Sequence, residues 1–131
     1  SGDVNAFLAF RQTCPAVRLY SGEDGLMPYL ASAGAVGLVS VCANAWPKAT
    51  QLYVQKAVSG ELSDLFPVWR DATESLFEVA NPIPVKVLMH HQQQVNSPVL
   101  RAPLTHKELT NQQALIRANN QINEWLTAAT N

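Results

Sequence analysis

Cysteine is scarce in this chain: Cys14 and Cys42 are the only two among 131 residues. One stands before Pro15 at a helix end and the other in an apolar run read as a strand. That spacing excludes the cysteine-dense framework of a small secreted protein. They read as buried or partly buried thiols of a cytoplasmic protein. Charge is scarce too, at 15% of residues with a formal net charge of −1. So weak a field gives no long-range pull towards nucleic acid or an anionic lipid surface. No apolar run approaches the roughly 20 residues of a membrane span. The chain opens Ser1-Gly2-Asp3, without Met and without a signal-peptide pattern.

The missing motifs narrow the chemistry further. There is no glycine-rich phosphate loop, since Gly34 and Gly60 fall at helix ends. His90 and His91 are neighbours, so on a helix they point about 100° apart, and His106 belongs to a different element. Without a His pair at helical spacing or a cysteine cluster, no metal site is expected. Lysine is limited to Lys48, Lys56, Lys86 and Lys107, all on predicted helices. A solvated lysine on a helix face keeps its charge and is a poor nucleophile.

What is present suits one soluble domain. At 47% hydrophobic residues, a chain of this length buries roughly 65–70% of its unfolded surface. Asp3 predicts an N-cap, with Val4, Phe7 and Leu8 on one face of a helix that ends by Cys14. Val17-Arg18-Leu19-Tyr20 predicts a first strand. Residues 25–33 predict a short helix, with Pro28 in its first turn and Gly34 as its stop. Residues 36–42 predict a second strand, apolar on both faces. Pro47 opens a helix that Gly60 closes. Leu62, Leu65, Trp69, Ala72, Leu76 and Phe77 then predict a long amphipathic helix, kinked at Pro67 unless that proline lies in the first turn. Asn81-Pro82 predicts the cap and start of a helix to about Gln94. Thr105 and Glu108 fit a capping box before a final helix that buries Leu109, Leu115, Ala118, Ile122, Trp125 and Leu126. Trp46 and Trp69, with Trp125, read as core or interface anchors.

Two parallel strands cannot bury both of their faces, and these two carry little charge along their margins. The chain therefore calls for more sheet than it contains, from another chain or from residues upstream. Glu23-Asp24 could act as an acid–base pair, although carboxylates at a strand-to-helix junction more often serve a helix N-terminus.

Four stretches stand in order along nearly the whole chain: Leu19-Tyr20-Ser21-Gly22-Glu23-Asp24, Gly37-Leu38-Val39-Ser40-Val41-Cys42-Ala43-Asn44, Asn81-Pro82-Ile83-Pro84-Val85-Lys86 and Leu100-Arg101-Ala102-Pro103-Leu104-Thr105. Together they resemble the dihydrodipicolinate synthase family, pyruvate-dependent class I aldolases that also include N-acetylneuraminate lyase. The Asn-Pro-Ile-Pro-Val-Lys run points to the synthases rather than the neuraminate lyases. The resemblance implies an α/β fold, the C-terminal portion of a (β/α)8 TIM barrel. Residues 1–59 would hold its last two parallel strands and their helices, and residues 60–131 a three-helix C-terminal domain.

It also implies a lyase that condenses pyruvate with aspartate semialdehyde through a lysine Schiff base, in lysine and diaminopimelate biosynthesis. Ser1-Gly2-Asp3 resembles the tail of the family's Lys-Glu-Ala-Ser-Gly-Asp signature. The Schiff-base lysine and the catalytic tyrosine are then expected upstream of Ser1, which leaves this chain inactive by itself. Val39 stands where a bulky aliphatic residue flanks the bound pyruvate. Ser21, Gly22, Glu23 and Asp24 stand on the loop near the second substrate. Glu23 replaces an aspartate of many members and Cys42 a usual threonine, and both changes bear on the second substrate rather than on pyruvate. No cofactor or metal is implied beyond pyruvate held as a Schiff base. The implied partners are the two substrates and either a homo-oligomer, dimer or tetramer, or the preceding segment. Two alternatives stay open: a related sugar-acid aldolase, and a non-enzymatic helical interaction module built from Gly60 onward.

Overall fold

The structure is a computed structural model that describes residues 2–131. Asp3 caps the first helix, α1 (Val4–Thr13), and its carboxylate accepts from the Asn5 and Ala6 N–H groups. A short strand, β1 (Tyr20–Ser21), leads through a 3₁₀ turn at Asp24–Leu26 into α2 (Met27–Ser32), with Pro28 in its opening turn. The second strand, β2 (Gly37–Leu38), pairs in parallel with β1, Tyr20 beside Gly37 and Ser21 beside Leu38. Regular pairing covers less than the sequence suggests. Single rungs extend it on either side, from the Val36 N–H to the Leu19 carbonyl at 2.9 Å and from the Val39 N–H to the Ser21 carbonyl at 2.8 Å. A lone pair of strands has only one ladder, so nothing holds its ends extended. A β-carbon on Gly37 would sit 2.8 Å from the Tyr20 ring, so any larger residue there would have to displace that ring.

Cys42 is not in a strand. It begins a one-turn helix, α3 (Cys42–Ala45), because the chain bends at Val41 to bring its N–H groups onto Asp24. Pro47 then opens α4 (Pro47–Ser59), and Gly60 closes it in the left-handed conformation at φ 82°.

The long amphipathic helix is shorter than its pattern. Residues 63–67 form turns, and α5 (Val68–Leu76) begins directly after Pro67. Proline has no N–H and its ring crowds the carbonyl one turn back, so it starts this helix instead of kinking one. The next helix, α6 (Ile83–His91), has Pro82 at its cap position and no side-chain cap, so Asn81 does not serve as one. Thr105 accepts from the Lys107 N–H, but only a 3₁₀ turn at His106–Glu108 follows. The last helix, α7 (Gln113–Thr130), starts later and buries Leu115, Ala118, Ile122 and Trp125. Leu109 is buried from the segment before it.

One apolar cluster runs from Met27 to Trp125 and joins α2, α4, α5, α6 and α7. At its centre Trp69 lies on Tyr53, ring centroids 4.0 Å apart and planes 12° from parallel, and meets Trp125 edge-on at 5.4 Å. By contrast α1 contains no buried residue, and Phe10 is 63% exposed. Cys14, at the end of α1, is exposed rather than partly buried, while Cys42 is fully buried. No helix among the described residues is long and apolar enough to cross a membrane.

Candidate functional site

The loops that follow β1 and β2 leave the same end of the strand pair, because parallel strands carry both carboxyl ends to one side. Ser21 ends β1 buried, and its hydroxyl both donates to the Glu23 carbonyl at 2.9 Å and accepts from the Glu23 N–H at 3.0 Å. That two-residue turn fixes the backbone at Gly22, which is exposed. Glu23 is half-buried, and a β-carbon on Gly2 would lie 3.4 Å from its Oε2. The start of the described chain thus lies beside the loop after β1.

Asp24 is 1% exposed, an unusual place for a carboxylate with no cation paired to it among the described residues. It is satisfied by donors from the other loop. The Ser40 hydroxyl and the Cys42 N–H donate to Oδ1, the latter at 3.3 Å, and the Val41 N–H donates to Oδ2 at 3.0 Å. The Ser40 oxygen accepts in turn from the Ala43 N–H at 2.9 Å. From α4, the Tyr53 hydroxyl donates to the Asp24 carbonyl at 2.8 Å. The carboxylate therefore serves the N-terminus of α3 rather than that of the helix it precedes. Burial, with the Asp24 carboxylate as a second cause, pushes the Cys42 thiol far above its ordinary 9.0. Burial, reinforced by Cys42 and Asp24, likewise holds the Tyr53 hydroxyl well above 10.0.

Val39 lies between these bonded groups and open space. Its N–H is the last rung to β1, and its side chain is 73% exposed. Beside the same loop, Glu23, Tyr29, Phe66, Arg70, Thr73 and Phe77 line a cleft of about 600 Å³. Arg70 is paired with Glu74 at 2.9 Å there.

The structure thus gathers Ser21, Gly22, Glu23, Asp24 and Val39 at one end of the sheet. Sequence reasoning missed Ser40 and Tyr53, which hold Asp24, and Tyr29 and Phe66, whose rings meet at 5.6 Å. A hydroxyl in the second of two matched strand-end loops was the available signal for Ser40. Nothing in the helical period marked Tyr53 as more than core.

The four lysines belong to neither loop. Lys48 is exposed on α4, and Lys56 pairs with Asp64 at 3.2 Å and Glu61 at 3.7 Å. Lys86 lines a hollow with Val41 and Asn81, but its ammonium donates to the Val99 carbonyl at 2.6 Å. Lys107 is exposed in the 3₁₀ turn. Among the described residues no group of three or more His, Cys, Asp or Glu could hold a metal ion.

Comparison with known proteins gives this arrangement a context. The model of the Dihydrodipicolinate synthetase family matches residues 1–122. The chain is 43% identical over 128 residues to the 4-hydroxy-tetrahydrodipicolinate synthase of Francisella tularensis subsp. novicida, covering 97% of this chain and 43% of that protein. It is 35% identical over 125 residues to the enzyme of the same name from Wolbachia pipientis subsp. Culex pipiens, covering 95% of this chain and 42% of that one. The solved 4-hydroxy-tetrahydrodipicolinate synthase of Methylacidiphilum fumariolicum SolV superposes on 98% of this chain with a TM-score of 0.77 at 28% identity, using 44% of its own length. The helix-rich α/β arrangement with few strands is therefore shared with a solved synthase. The chain spans less than half the length of these relatives. By sequence and by fold, it belongs to the dihydrodipicolinate synthetase family.

Proposed function

We propose that these residues form the C-terminal portion of a lyase that condenses pyruvate with aspartate semialdehyde through a lysine Schiff base. Residues 1–59 then supply the last two strands of a (β/α)8 barrel with their helices, and residues 60–131 a helical domain packed behind them. The observation that carries this reading is the convergence of both strand-end loops, with Val39 uncovered beside them and Gly2 against Glu23. In barrels of this kind chemistry sits at the carboxyl ends of the strands. The relatives' names favour the semialdehyde over a sugar acid as second substrate.

In this chemistry an amine adds to the ketone of pyruvate and water leaves, giving an iminium that accepts the electron pair when a proton is lost from the adjacent carbon. The contribution of this chain is a wall and a boundary. Val39 presents an apolar surface to pyruvate, and the turn held by Ser21, with Gly22 and Glu23, borders the second substrate, while the buried Asp24 stands behind that turn and binds the other loop. The reactive amine is supplied by residues outside this chain. Borohydride treatment with pyruvate, followed by intact-mass measurement, is expected to leave the 131-residue chain unmodified. A stable adduct on Lys48, Lys56, Lys86 or Lys107 would overturn that assignment.

The same reading gives the exposed margin a partner. Phe10, Val17, Tyr20, Val36 and Val39 are all exposed along α1 and the strand pair. That margin calls for further polypeptide, either the remainder of a barrel or a second copy. In sedimentation the chain alone is expected to self-associate as its concentration rises. A monomer throughout would count against an unpaired margin.

A further inference from the structure

We propose that Asp24 is a positioning residue whose carboxylate, at the end of β1, sets the course of the β2–α3 loop and so the direction in which Val39 faces. The proposal rests on the reading that Val39 flanks pyruvate, and it adds what holds Val39 there.

The argument is one of connectivity. Val39 is fixed on one side only by its rung to the Ser21 carbonyl at 2.8 Å. On the other side the chain leaves the sheet, and its next three residues, Ser40, Val41 and Cys42, all donate to the single carboxylate of Asp24. Without that acceptor the buried Cys42 N–H would have no partner to replace it, since water does not reach the site. The acceptor is itself held. Tyr53 donates to the Asp24 carbonyl, and Tyr53 is stacked on Trp69 in the centre of the core. Rigidity therefore passes from the core through Tyr53 to Asp24 and from Asp24 to the segment that carries Val39. A side chain that is 73% exposed has no packing of its own to orient it. Its direction must come from its backbone.

The test uses the 131-residue chain and nuclear magnetic resonance, comparing Ser40→Ala and Asp24→Asn with a control outside that path, Ile122→Val at a fully buried position of α7. Ser40→Ala removes one donor and leaves the carboxylate, so it provides a readout even if Asp24→Asn folds poorly. Amide exchange at Val41 and Cys42 is expected to rise about tenfold in Ser40→Ala and more in Asp24→Asn, the loss of charge-assisted bonds. The Val39 methyl order parameters are expected to fall in both. Ile122→Val weakens the core generally and should leave the Val39 methyls unchanged. If Ile122→Val loosens Val39 as much as Ser40→Ala does, or if neither loop variant alters Val39, the positioning role is wrong. These signals require no bound pyruvate, so they stand or fall separately from the borohydride result.

Discussion

Replacing Trp69 with alanine is expected to remove about 3–5 kcal/mol of stability, the range for truncating a buried tryptophan. Trp69 is 1% exposed, stacked on Tyr53 and set against the edge of Trp125, so the cavity would open between three helices, α4, α5 and α7. Collapse around it is hindered on one side, because the Trp125 indole donates to the Asp64 carbonyl at 3.0 Å and to its carboxylate at 3.1 Å. Asp64 in turn holds Lys56. A domain with about 5–15 kcal/mol in hand would lose a large share of its stability. Trp69→Phe separates packing from polarity. The Trp69 Nε1 has no hydrogen-bond partner among the described residues, and a buried orphan donor costs about 1–3 kcal/mol. Phenylalanine keeps most of the ring and removes that donor, so its net cost should be small. Urea unfolding followed by helical circular dichroism reads both variants. Equal losses would show that the ring stack is not what holds the core.

How legible the chain was depends on whether a signal is local. Asp3, Pro28, Pro47 and Gly60 act on their own helix ends, and each stands where its chemistry places it. Pro67 was ambiguous because the apolar spacing runs on both sides of it. Leu65 is buried from a turn and Trp69 from a helix, so the period continued while the helix did not. The Thr105 box failed for a related reason. The Thr105 hydroxyl accepts from the Lys107 N–H while the Glu108 N–H goes to the Thr105 carbonyl, Leu109 is drawn into the core, and the chain leaves the helical path before Gln113.

The site was legible in outline only. The sequence predicted two parallel strands joined through a short helix, and the strands do pair in parallel, which brings the loops after them to one end. Which loop residues bond to which was not readable. Asp24 finds its donors in Ser40, Val41 and Cys42 across a helix and a second strand, and its carbonyl finds Tyr53 further on. No local pattern encodes such a meeting. Cys42 shows the consequence. Read by its apolar neighbours it is a strand residue, whereas in the fold its N–H turns to a carboxylate and starts a helix.

That same cluster makes the fold sensitive to alkali. Cys42 and Tyr53 both bind their protons more tightly folded than unfolded, mainly because burial penalises the anion, with Asp24 adding repulsion to each. Below pH 9 both states keep both protons and nothing is lost. As pH rises past the ordinary 9.0 of the thiol and then the ordinary 10.0 of the hydroxyl, the unfolded chain releases protons that the folded chain retains. Each such group lowers stability by about 1.4 kcal/mol per pH unit. The two together are expected to take roughly 4 kcal/mol by pH 11. Urea midpoints measured between pH 8 and pH 11 should fall along that slope. Cys42→Ala should delay the fall to the tyrosine range, and Tyr53→Phe should halve its steepest part. The latter also gives up the hydrogen bond to Asp24, about 1 kcal/mol at every pH, so its curve begins lower and then runs flatter. A flat profile in the unsubstituted chain, or an unchanged slope in both variants, would mean that water reaches these groups and that the Asp24 cluster is less closed than its geometry.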